Sequence, residues 1–302
     1  SMTADLKALR YLTAPNMVLS DSGDKSPGLQ NGGPMLLMNP HIHRCCQHNS
    51  GQGWPYFAQH LWTATQDNGL AAVLYSASAV NAKVGNGGEV TITENTNYPF
   101  DDKIELVIST TEDVSYPIYL RIPGWCERPE LKINGRAKKI FARPGSYILI
   151  DRSWVDGDKV MLRLPLDIRT KTWVKNHNSV SVSRGPLTYS LKIGEKYVRH
   201  GGTDKWPAWE IYPTSDWNYG LLLTAEDAAE QFEVIHHPWP EDDQPFKAEA
   251  APIEMRVKAR KISAWQLDYL GLVGKIQSSP AKTDEPVETV TLIPMGCARL
   301  RI

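Results

Sequence analysis

The sequence is short of several things. Only four cysteines, Cys45, Cys46, Cys126 and Cys297, occur in 302 residues, too few for the disulfide framework of a small secreted scaffold. An excess of one charge is also lacking. Lys plus Arg is 33 and Asp plus Glu is 34, for a formal net charge of −1. That balance leaves no electrostatic footprint for nucleic acid or for an anionic membrane surface, so neither is expected as a partner. No uninterrupted apolar run is long enough to cross a bilayer; even residues 69–80 are interrupted by Ser76 and Ser78. There is no fixed-period repeat and no low-complexity tract. The opening Ser1-Met2-Thr3-Ala4-Asp5 has no basic stretch leading into an apolar one, so no signal peptide is visible. Localisation stays open between the cytoplasm and the periplasm or exterior.

What is present fits a folded β protein. Hydrophobic residues at 41% against 22% charged exclude a disordered chain. Gly (22), Pro (21) and Trp (10) together favour many short strands joined by turns over a helical bundle. The length points to about two domains.

The first sixty-odd residues read differently from the rest. Residues 3–11 form a short helical candidate. Residues 18–35 are turn-rich, with Ser26-Pro27-Gly28 and Asn31-Gly32-Gly33-Pro34 breaking regular structure. Residues 53–65 read as an amphipathic helix with Pro55 near its start and Phe57, Leu61 and Trp62 on one face.

From Gly69 the period changes to two. Residues 70–75, 89–93, 103–110, 116–122 and 147–151 read as strands, with Ile118, Leu120 and Ile122 alternating against Tyr119 and Arg121. Asn134-Gly135 is a hairpin signal, and Asp156-Gly157-Asp158 a turn before Val160, Leu162 and Leu164. Closely spaced strands of this kind suggest a β-sandwich. After residue 166 the pattern restarts, with strand candidates at 179–183, 188–193, 253–262, 287–293 and 298–302 and a brief helix at 225–231. The expected organisation is a leading segment at 1–65, one sandwich at 66–165 and a second at 166–302.

The densest chemistry lies in His41-Ile42-His43-Arg44-Cys45-Cys46-Gln47-His48-Asn49, five metal-capable side chains within eight positions. Zinc takes thiolates and imidazoles, usually four in a tetrahedron. In a regular strand, Cys45 and Cys46 would point to opposite faces, so sharing one ion requires an irregular turn. The spacing matches no standard finger or knuckle. Two buried cysteines in a junction are the plainer alternative. Nucleophilic catalysis by a cysteine whose pKa is lowered by a metal or cation is a third.

The same residues carry a family resemblance. Arg44-Cys45-Cys46-Gln47-His48-Asn49 followed by Gln52-Gly53-Trp54-Pro55 resembles the double-cysteine motif of glycoside hydrolase family 127, the β-L-arabinofuranosidases and relatives, long known as a domain of unknown function. Asp67 through Tyr75, Leu120-Arg121-Ile122-Pro123-Gly124-Trp125, Arg184-Gly185-Pro186-Leu187, Trp217 through Leu221 and the closing stretch from Leu292 to Ile302 extend it over most of the chain.

The resemblance implies a mainly β fold: two consecutive antiparallel, jelly-roll-like β-sandwiches after a short helical and loop remnant of an (α/α)6 barrel. It implies a retaining glycosidase acting on an arabinose-containing or related glycan. In this family Cys45 would match the nucleophile and a zinc ligand, and Cys46 a zinc ligand. The remaining ligands (a third cysteine and a glutamate) and the acid/base glutamate lie further upstream. Cys126 and Cys297 do not match the third ligand. The expectation is therefore the C-terminal part of a larger hydrolase, missing the rest of its barrel, with an incomplete zinc site and no activity in isolation. A non-catalytic β-sandwich module that binds glycan or supports another domain is the competing class. The aromatic tract Trp206, Trp209, Trp217, Tyr219 and Trp239 is read mainly as core packing. No carboxylate in the chain is singled out as an acid/base residue.

Overall fold

The computed structural model describes residues 2–3, 5, 7–10, 13–29, 34–42, 44–224 and 228–302; the side chains of residues 40, 44–47 and 50 lie outside that description. The chain is mainly β and divides into two compact units, Ser50–Asp167 on one hand and Ser1–Asn49 with Ile168–Ile302 on the other.

The unit Ser50–Asp167 is built from two sheets. One has the strand order Arg136–Lys138, Glu130–Ile133, Lys159–Arg163, Lys103–Thr110, Gly88–Asn95, Ser78–Val84. The other runs Tyr147–Trp154, Val114–Arg121, Leu70–Ala72, Trp62–Ala64. Alternation makes the core: Ile104, Leu106 and Ile108 are buried on one strand, while Val114, Tyr116, Ile118 and Leu120 are buried on another. These side chains from both sheets belong to a single apolar cluster. Full burial of each such aliphatic side chain stabilises the fold by roughly 1.5–3 kcal/mol. Trp154 is fully buried and donates its indole N–H to the Tyr116 carbonyl at 3.0 Å.

Asn134 (φ 49°) and Gly135 (φ 76°) form the expected tight hairpin turn between Glu130–Ile133 and Arg136–Lys138. Positive φ at both central residues matches the right-handed twist of the strands. Leu70–Ala72 pairs in parallel with Val114–Arg121, the one parallel pair among the described strands of this unit. The chain can approach so closely because Gly69 has no side chain: a Cβ there would lie 2.2 Å from the Pro117 carbonyl oxygen.

The other unit has two sheets as well. The larger runs Ile168–Trp173, Ser179–Arg184, Leu187–Leu191, Val287–Pro294, Ile253–Lys261, Tyr219–Leu221, with Glu233–His236 also pairing with Ile253–Lys261. Ile253, Met255, Val257 and Ala259 alternate along the last of the long strands and are buried. The smaller sheet runs Leu9–Arg10, Leu37–Met38, Pro207–Pro213, Glu195–Gly202. The leading residues thus contribute two short strands to a sheet completed some 200 residues later. Described residues of the stretch between them are tied down as well. Ser20 is buried and exchanges backbone hydrogen bonds with Ile211, and buried Lys25 pairs with Asp21 at 2.5 Å and donates to the Leu270 carbonyl at 2.8 Å.

Four local expectations are corrected. Residues 9 and 10 of the expected 3–11 helix are strand, because pairing with Leu37–Met38 overrides weak local preference; residues 4, 6 and 11 lie outside the described ones. The helix expected at 53–65 is Arg44–Gln59, with Pro55 inside it, and Leu61 and Trp62 leave it to enter the sandwich core. Residues 298–302 form no strand; Arg301 makes a single bridge to Met17, exchanging hydrogen bonds of 2.8 and 2.7 Å. Of the brief helix expected at 225–231, Ala228–Gln231 is a 3-10 turn and 225–227 lie outside the described residues.

Candidate functional site

Cys45 and Cys46 are the second and third residues of the helix Arg44–Gln59, neither in a strand nor in an irregular turn. The 3-10 turn Pro40–Ile42 precedes it, with the His41 N–H donated to the Asn39 side chain at 2.9 Å. At 3.6 residues per turn, adjacent positions stand about 100° apart around a helix. Two neighbours in its first turn can therefore address one region of space, which strand geometry forbids. The side chains of both cysteines lie outside the described residues, as does His43.

The helix itself is unusual. Trp54 is 70% exposed, Tyr56 62%, and Phe57 is exposed too. Trp54 and Phe57 meet edge to face with centroids 6.3 Å apart. Gly51, Gly53 and Pro55 all fall within its sixteen residues. Gly lowers helix stability by about 1 kcal/mol and interior Pro by about 3 kcal/mol relative to Ala. Local propensity does not account for this helix.

The other candidates are placed as follows. The His41 ring meets Trp206 edge-on at 5.0 Å, and His48 is exposed on the helix. Cys126 and Cys297 are buried in different units. Burial raises the Cys126 thiol and pushes the Cys297 thiol up to about 12; Cys297 also faces the Pro245 carbonyl at 3.2 Å. Both are packed thiols and remote from ligand chemistry. The aromatic tract is half-buried and engaged: Trp217 packs on Trp265 at 5.3 Å, Trp209 on Tyr197 at 6.3 Å, and Trp239 donates to Asp243 at 2.6 Å. The run Glu241-Asp242-Asp243 is a solvated loop, as its composition suggests.

Zinc fits these residues only in part. Adjacent cysteines on one helical turn offer two thiolates, half of a tetrahedral shell. Among the described residues no group of three or more His, Cys, Asp or Glu is arranged to hold a metal.

Two buried ionisable groups carry no local sequence signal. Glu94, in the strand Gly88–Asn95, is 1% exposed, and burial pushes its carboxyl up to about 8. It accepts the Ser76 N–H at 2.9 Å, and Ser78 and Trp62 face it. It lies inside the sandwich core, where a substrate has no access. The second feature is a cluster of arginines around Arg10, described below. Neither leaves a local signature, since both depend on burial by residues far away in the chain.

Residues 69–166 match the family model of the β-L-arabinofuranosidase GH127 middle domain, so the first sandwich is a domain of that type, as the sequence resemblance implied. No curated protein sequence matches the chain significantly. Among solved structures, a GH127 β-L-arabinofuranosidase from Geobacillus stearothermophilus T6 superposes with a TM-score of 0.58 and 24% identity, over 85% of this chain and 36% of that one. A protein described as a glycoside hydrolase gives 0.67 and 19% over 99% and 44%. A GH127 β-arabinofuranosidase gives 0.61 and 18% over 98% and 40%. At these identities the likeness establishes the fold, and the chain spans less than half the length of each of these structures.

Proposed function

We propose that this chain is the C-terminal part of a retaining glycoside hydrolase resembling β-L-arabinofuranosidases, with an arabinose-containing or related glycan as substrate. The observation that carries the reading is the order along the chain: Cys45-Cys46, in the first turn of a partly exposed helix, stands just ahead of a segment matching the GH127 middle domain from residue 69.

Retaining glycosidases usually employ two carboxylates, one as nucleophile and one as acid/base. Here the Cys45 thiolate takes the nucleophile's place. It attacks the anomeric carbon and displaces the leaving oxygen, which a carboxylic acid protonates. The resulting thioglycosyl bond is then cleaved by water, activated by the same carboxylate. The carboxylate is supplied by chain outside the 302 residues. Cys46 serves as a metal ligand beside Cys45. Zinc, when bound, would keep the thiols deprotonated at neutral pH.

The helix Arg44–Gln59 supports the reading independently. Its exposed aromatic side chains and poor intrinsic propensity call for a covering partner, and a helical barrel contributed by further chain is that partner. The isolated 302 residues are then inactive.

The test is hydrolysis of aryl β-L-arabinofuranosides and related furanosides, with zinc analysis, on the protein extended to include such a barrel. Activity in the extended protein, lost together with zinc in Cys45→Ser, is expected. Unchanged metal content in Cys45→Ser would overturn the ligand assignment, and full activity of the 302-residue chain would overturn the fragment reading. Inactivity of the extended protein on every furanoside would leave the non-catalytic module as the better description.

A further inference from the structure

Arg10 lies in the short strand Leu9–Arg10 and is 2% exposed. Its Nη1 donates to the Arg299 carbonyl at 2.8 Å and lies 3.5 Å from the Met17 sulfur. Its Nε and Nη2 have no hydrogen-bond partner. Those two nitrogens share one edge of the guanidinium plane and present parallel N–H bonds, the fork that grips two oxygens of one carboxylate or phosphate.

The surroundings make the two unpartnered N–H groups more costly. Arg299, itself buried, donates to the Phe246 and Cys297 carbonyls, and Arg301 donates to the Ala298 carbonyl at 3.1 Å. Burial first, then Arg301, lowers the Arg10 pKa to about 9, while Glu195 opposes the shift. Glu195 is already committed. One oxygen accepts the Arg299 and Leu300 backbone N–H groups at 3.0 and 3.1 Å, and the other accepts the Tyr197 hydroxyl at 3.1 Å. Among the described residues no carboxylate comes within 4 Å of the Arg10 guanidinium. Among the described residues, the charged groups acting on the buried Arg10 are thus two further guanidiniums and one carboxylate. Native proteins rarely bury charge unpaired, and an unsatisfied buried donor calls for an acceptor.

We propose that the Arg10 fork, in the field of Arg299 and Arg301, is a binding site for one compact oxyanion with two oxygens on a single centre. The chemistry is shared by free phosphate and small carboxylates. The site belongs to the unit formed by Ser1–Asn49 and Ile168–Ile302, and the proposal does not depend on the glycosidase reading.

The experiment follows thermal unfolding of the 302-residue chain at constant ionic strength while chloride is replaced stepwise by phosphate, with a parallel series in acetate. The expected result is a midpoint that rises by several degrees and saturates in at least one series. The series that responds identifies phosphate or carboxylate as the preferred chemistry. In Arg10→Met the saturable rise is lost. A rise that is linear and equal in parent and Arg10→Met is general salting and overturns the proposal, as does no rise in either series. If Arg10→Met fails to fold, Arg10→Lys keeps the charge without the fork. Its half-saturating concentration is then expected to be about tenfold higher, and an unchanged value rejects the site.

Discussion

The sandwich strands and the helix Arg44–Gln59 treat aromatic side chains in opposite ways. In the sandwich, Trp154 and Tyr116 are buried and packed together, with ring centroids 6.1 Å apart, and the Trp154 indole has a backbone partner. On the helix, Trp54 and Tyr56 stand in solvent. The inward faces of the sandwich strands satisfy their own hydrophobic demand, while Tyr147 and Leu149 stand exposed on the outward face of the Trp154 strand. The helix exposes Trp54, Tyr56 and Phe57, the first and last in edge-to-face contact, in a segment rich in helix-weakening residues. A region that is complete and a region that awaits a partner should answer mutation in opposite ways.

The largest effect is expected in the complete region. Trp154→Ala removes a fully buried ring and its hydrogen bond, so a loss of about 3–5 kcal/mol in stability should appear as a lower urea midpoint with little change in slope. A loss under about 1 kcal/mol would mean that the core collapses around the gap, and the contrast with the helix would weaken.

An intermediate effect concerns charge in the same core. The Glu94 carboxyl titrates at about 8 when folded, against an ordinary 4.5, chiefly because it is buried. Between those pH values the unfolded chain has released a proton that the folded chain still holds. Stability therefore falls as pH rises. The contribution of the neutral carboxyl is fully present below about pH 4.5 and lost as pH rises through about 8. Glu94→Gln removes this titration and keeps an acceptor for the Ser76 N–H. It should flatten the stability profile across that window and be more stable than the parent above pH 8, by roughly a few kcal/mol. Parallel profiles for the two proteins would show that Glu94 is solvated.

Legibility in the sequence followed the same divide. Lys103–Thr110 and Val114–Arg121 announce themselves because one face is buried, so apolar residues recur at every second position. Asn134-Gly135 was readable because its backbone conformation selects those two residues. Ser78–Val84, Glu195–Gly202 and Pro207–Pro213 were not readable. The first is an edge strand carrying Ala, Asn and Lys, and the other two owe their pairing to each other and to Leu37–Met38. The helix starts well before its sequence suggests, since Pro55 reads as a first-turn residue, where a missing N–H costs nothing. Its actual interior position is a local defect that only surrounding structure sustains. The cysteine pair was visible through the family motif. Arg10 and Glu94 became visible only once distant strands had buried them.

The smallest effect is the most informative about the incomplete region. Trp54 is 70% exposed, so Trp54→Ser in the 302-residue chain should change the unfolding midpoint by less than the equivalent of about 0.5 kcal/mol. A near-zero result means something only beside its counterpart. If the helix docks against a barrel in the longer protein, the same substitution there removes a buried ring and should cost about 3 kcal/mol or more, close to Trp154→Ala. The difference between the two backgrounds measures the burial contributed by the partner. A loss above about 1 kcal/mol in the 302-residue chain would show that the helix already packs on its own β units, and the distinction between a complete and an incomplete region would then fail at its most exposed residue.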